Sequence, residues 1–128
     1  MDLSYRCPHC RSVLNRDSTI MLEASCGDEQ MTMGFHPIPG TYKVMLPPGR
    51  EVEPGSTWEF SCPSCSKSLV ADLSSKLCCL DMVANNERRR VYFSRVAGEH
   101  ATFVISAEGI ERHGEHASRH SLEILDLV

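Results

Sequence analysis

No stretch of this chain approaches the roughly twenty consecutive apolar residues that carry a helix across a bilayer. No basic region followed by an apolar stretch stands near Met1, so no export signal is visible and a cytoplasmic location is expected. Long segments with apolar residues at helical spacing are also missing, which leaves little room for amphipathic helices. Positive charge is in deficit: a formal net charge of -4 disfavours general binding to a phosphate backbone. The chain contains no nucleophile elbow, no phosphate-cradling glycine loop and no H-E-x-x-H helix. Catalysis is therefore not expected.

What remains is an ordinary globular composition, with 41% apolar and 23% charged residues in 128. A chain of that size is most simply one soluble domain with a real core. Seven cysteines are present, an odd number that cannot pair completely. Without an export signal, they point to a reducing compartment where thiols serve metals, catalysis or packing.

The chain reads as short strands with turn punctuation. "TYKVML" alternates, with Tyr42, Val44 and Leu46 on one face, and "TWEFSC" places Trp58, Phe60 and Cys62 together. Between them "PPGREVEPGS" carries two Pro-Gly turn signals, so residues 31–61 form a proline-punctuated β excursion. Met31, Met33 and Phe35 alternate as one strand face, better suited to core packing than to copper binding. Further on, "KLCCLDMVA", "RRVYFSRV" and "ATFVIS" read as an antiparallel meander, with a fourth strand starting at Ile110. A short helix in "HASRHSLEILDLV" would place Leu122, Leu125 and Val128 on one side.

Two strings carry chemistry: Cys7-Pro8-His9-Cys10 and Cys62-Pro63-Ser64-Cys65. One C-x-x-C pair is ambiguous between a redox dithiol and half of a metal site. Two pairs supply four soft ligands, the requirement of a closed tetrahedral zinc site, and proline after each first cysteine helps fix the turn. A thioredoxin-like dithiol would open a helix after a central strand, and only six residues precede Cys7. Fifty-one residues separate Cys10 from Cys62, where such patterns have roughly 15 to 20. Tripling the loop costs only about 1 kcal/mol, against on the order of 10 kcal/mol or more from structural zinc. Cys7, Cys10, Cys62 and Cys65 are thus expected to hold one structural zinc, with His9 beside the metal and not bound to it.

The strings "CPHC" and "CPSC", with "GTY" and "VYFSRVAGEHATFVIS", make the chain resemble small bacterial zinc-ribbon proteins of the CPxC type. That resemblance implies a bacterial source and a structural metal, and it brings no established activity. Such ribbons often have glycine after the second cysteine of a knuckle, where this chain has Arg11 and Ser66.

Other features have plainer readings. Cys78 and Cys79 lie in an apolar run and suit core packing, while Cys26 precedes a turn-like Gly27-Asp28. His113, His116 and His120 would share one side of a helix and suggest a second metal, but Gly114 interrupts that helix and a solvated face explains them better. "NNERRR" is the only basic run, read as a hairpin tip with solvated arginines Arg88 to Arg90 more readily than as a nucleic-acid contact. "GEHAT" at Gly98 and "GEHAS" at Gly114 are too short to claim duplication.

The expected architecture is mainly β in a single domain, 1–128. A rubredoxin-like four-cysteine zinc ribbon with an inserted β excursion occupies 1–73, packed on a C-terminal antiparallel β-meander in 74–128. The expected function is a non-catalytic zinc-binding, protein-interaction module, its loops from His36 to Gly55 presenting apolar side chains to an unknown protein partner. The alternatives are a nucleic-acid-binding ribbon, disfavoured by the acidic total, and a zinc-linked thiol redox sensor.

Overall fold

The computed structural model describes residues 3–72 and 74–120. It contains ten strands: β1 (Ser4–Arg6), β2 (Asn15–Arg16), β3 (Thr19–Cys26), β4 (Glu29–Phe35), β5 (Val44–Met45), β6 (Glu59–Ser61), β7 (Leu77–Ala84), β8 (Glu87–Ser94), β9 (Thr102–Ser106) and β10 (Gly109–His113). A 3-10 turn at Ala117–His120 follows. The helix expected over Leu122, Leu125 and Val128 lies outside the described residues.

Two antiparallel sheets result. One has the order β1-β7-β8-β9-β10; the other runs β2-β3-β4-β5, with β6 also pairing to β3. The meander read from the sequence is β7 to β10. Its first hairpin closes through Asn85 and Asn86, both at positive φ (52° and 66°), between the paired Ala84 and Glu87. Asparagine tolerates that left-handed geometry, which matches the twist of the flanking strands.

Side-chain alternation sends alternate residues of this sheet to opposite faces. Cys78, Leu80, Met82, Val91 and Val104 join Ile20, Leu22, Met33 and Phe60 of the other sheet in one buried cluster. Leu77, Cys79, Tyr92 and Phe103 point the other way and are covered by Ala71 and Ala117. Cys78 and Cys79 are therefore core residues on opposite faces, and burial pushes the Cys78 thiol up to about 12.

Three findings go beyond the sequence reading. Thr19–Cys26 is a full strand with Ile20, Leu22 and Ala24 buried on one face. The strand expected over residues 41–46 is reduced to Val44–Met45, because only these pair with Gly34 and Phe35 of β4. And β1 leaves the N-terminal half to pair with β7, so Tyr5 packs beside Met82 in the central core.

Candidate metal centre

The two C-x-x-C turns are built on one frame. In the first, the amides of Arg11 and Cys7 donate to the carbonyls of Cys7 and Ser12 at 3.0 Å each. In the second, Ser66 and Cys62 donate to the carbonyls of Cys62 and Lys67 at 2.9 and 3.1 Å. One step outward, Leu14 N donates to Tyr5 O and Leu69 N to Phe60 O, at 2.8 and 2.9 Å. The frame is printed in the sequence as Tyr5–Leu14, "YRCPHCRSVL", and Phe60–Leu69, "FSCPSCSKSL", a wider match than the knuckles alone.

Arg11 and Ser66, each following the second cysteine of its turn, both adopt left-handed backbone, with φ of 67° and 63°. The turn geometry thus overrides the side-chain preference. Arg11 gains a compensating partner: with Arg88 and Arg90 it forms an ion pair to Asp81, whose side chain is only 3% exposed. Arg88 and Arg90 follow the hairpin tip with side chains 66% and 54% exposed, as read from the sequence, and each also reaches this carboxylate.

Cys7, Cys10, Cys62 and Cys65 bring their sulfurs within 4.8 Å of one another. Cys7 Sγ lies 3.8 Å from Cys65 Sγ and Cys10 Sγ lies 3.7 Å from Cys62 Sγ. A tetrahedron with metal–sulfur bonds of about 2.3 Å has edges of about 3.8 Å, so the donor set fits a tetrahedral ion. Amides of His9 and Ser64 donate to Cys7 Sγ and Cys62 Sγ at 3.3 Å each, stabilising thiolate sulfur. His9 is not among the ligands; its Nε2–H donates to the carbonyl of Ser68 at 3.0 Å and links the two knuckles.

The four thiols are not equivalent. Cys7 and Cys62 are buried, Cys65 is half-buried and Cys10 is exposed. Burial pushes Cys7 up to about 12. The Ser12 hydroxyl, 3.0 Å from Cys10 Sγ, helps pull that thiol down to about 6. At Cys62 burial works upward, but hydrogen bonds from the Cys65 and Ser64 amides outweigh it and the thiol is lowered.

The three histidines grouped by spacing separate. His120 is buried and meets the Glu99 carboxylate, which also accepts from Ser94 Oγ at 2.8 Å and from Arg119 Nη1 at 3.2 Å. His113 packs against Gly40. His116 instead joins His100 and Glu115, their ligand atoms within 4.8 Å. Here the two G-E-H segments meet: the amide of His116 donates to the carbonyl of His100 at 2.9 Å. Gly114 permits the approach, since a Cβ there would stand 2.2 Å from the His100 carbonyl oxygen.

This second trio is not ready for a metal. The His100 amide donates to His116 Nδ1 at 2.9 Å, so the neutral ring carries its proton on Nε2. A metal at Nε2 would need that proton on Nδ1, facing the amide donor. Cys26 lies outside both groups.

No protein-family model matches the chain, and neither a curated protein nor a solved structure is significantly similar to it.

Proposed function

We propose that this is a non-catalytic interaction module whose fold is fixed by one structural zinc in a rubredoxin-like ribbon. Four sulfurs complete a tetrahedral shell and leave no position for a substrate or an activated water. The observation that carries the interaction reading is local: Ile38, Val44 and Met45 are 55%, 44% and 56% exposed within one short segment. Val44 and Met45 form β5 at the edge of the second sheet, where an extended apolar segment of a protein partner can add as a further strand. Affinity capture from native lysate should return a specific protein that Ile38→Ser/Met45→Ser no longer binds, with metal content unchanged. Capture of nothing above background, or equal capture by the variant, overturns this reading.

A zinc-linked thiol sensor is the second reading, favoured by the exposure of Cys10 at the rim of the cluster. Peroxide would take two electrons from the Cys10 and Cys62 thiolates and two protons from solvent, forming one disulfide and two waters, and the metal would leave. Zinc release under mild peroxide, with recovery by reductant, tests it. The nucleic-acid reading draws on the same arginines that Asp81 engages, and a low-salt binding panel decides it.

A further inference from the structure

We propose that the space between the two sheets binds a single-chain, carboxylate-headed amphiphile of medium length. A cavity of about 370 Å³ lies there, walled by Leu22, Phe35, Trp58, Phe60, Leu80 and Val91 among others. Packed interiors hold few voids larger than a water molecule. At about 30 Å³ per water, this one has room for roughly a dozen non-hydrogen atoms. Its apolar walls offer water few of the partners that buried water requires. An apolar chain fits them.

The aromatic wall selects the shape of that chain. Phe35, Phe60 and Phe93 lean on one another with ring centroids 5.5 to 5.9 Å apart and planes inclined by 46° to 78°. They leave no parallel pair between which a planar ring could slide. A flexible alkyl chain follows such a surface better.

The polar lining selects the head. Glu99 is the one acid in the lining, and its carboxylate is engaged by Ser94, Arg119 and His120. Lys43 and Arg95 also line the cavity, and among the described residues neither is ion-paired to a carboxylate. Arg95 instead donates to the carbonyls of Trp58 and Ser75, at 2.9 and 2.5 Å. The Oη of Tyr42 is turned toward Gly114, where an added Cβ would stand 2.5 Å from it, and takes no part in the head site. Among the described residues, Lys43 is thus the lining cation left to meet a carboxylate head. The covering segment 36–43 contains no strand; Tyr5 Oη donates to Pro37 O at 2.5 Å, and the Tyr42 ring stacks on His100 at 4.4 Å. The cavity is already partly open to solvent beside these tethers.

The cavity shares Ile38 and Val44 with the proposed partner edge, and its test uses the protein alone, so the two readings fail separately. Trp58, the sole tryptophan, lines the cavity and reports on it by fluorescence. Decanoate, titrated into the zinc-loaded protein below its micelle concentration, should give a saturable change in Trp58 emission and a one-to-one calorimetric isotherm. Ala97→Phe and Val52→Phe, each filling the cavity from its lining, should abolish both while retaining zinc and a cooperative melt. Lys43→Glu should weaken decanoate about fivefold or more and leave 1-decanol unchanged. No saturable response, or undiminished binding in both filled variants, overturns the site; equal loss of decanoate and decanol in Lys43→Glu overturns the carboxylate head.

Discussion

Arg11 and Ser66 occupy corresponding positions of two turns 55 residues apart in sequence, and their φ angles, 67° and 63°, differ by a few degrees. Each is a non-glycine residue in a region where a Cβ is costly. Ser66→Gly should therefore stabilise the metal-loaded protein by about 1 kcal/mol, read as a higher urea midpoint at unchanged slope. Arg11→Gly should gain less or lose, because it also removes the ion pair to Asp81. Equal gains from both would show that the ion pair contributes nothing.

Metal content follows from the sulfur geometry. Protein purified without added metal should carry about one zinc per chain, and cobalt in its place should give intense thiolate charge-transfer absorption. Cys62→Ser, at a buried ligand, should lose the metal and cooperative unfolding together. A cooperative, metal-free Cys62→Ser would show that the ion is dispensable.

Loading should depend on pH in a stated direction. Metal binds thiolate, and in the metal-free protein Cys7 is pushed up to about 12 while Cys10 is pulled down to about 6. Near pH 7.5 Cys10 is already ionised and Cys7 is not, so loading must release a proton from Cys7 and affinity must rise with pH. Calorimetry in buffers of different ionisation enthalpy measures the protons released. Buffer-independent heat would contradict the assignment.

Asp81→Asn should destabilise by about 1 to 3 kcal/mol. Three guanidiniums meet this one buried carboxylate, and the amide would leave their mutual repulsion uncompensated. Urea unfolding measures the loss, and added salt should reduce it. A neutral substitution would mean that the arginines solvate independently.

Glu99 gives a second pH dependence. Burial alone would raise its carboxyl, but hydrogen bonds from His120, Ser94 and Arg119 outweigh it and hold the group below its usual value. A carboxylate lowered in the folded state stabilises above its unfolded pKa, and that contribution is lost as pH falls through the folded value. Glu99→Gln should lower the melting temperature at pH 7, with an effect that shrinks as pH falls below 4.5 and through the lowered folded value. An equal effect across that range would deny the ionic contribution.

How much of this was legible depended on the range of the interactions. The knuckles are local, so Cys7, Cys10, Cys62 and Cys65 could be named from spacing. The β7–β8 hairpin was legible because Asn85-Asn86 stands between alternating strands. Thr19–Cys26 was passed over because Met, Leu, Glu and Ala suit helices as well, and its burial depends on β4 and β6 alongside. The pairing of β1 with β7 spans most of the chain and leaves no local mark. His100 was missed beside His116 for the same reason, although the repeated G-E-H hinted at it. The cavity depends on how far apart the sheets stand, which no single segment encodes.

The two knuckles grow from strands of different sheets, β1 in one and β6 in the other. During synthesis the first knuckle emerges long before the second, offering an ion only two sulfurs. A four-sulfur shell needs both knuckles at once, so an ion held there would tie the sheet of β1 and β7 to the sheet of β3 and β6.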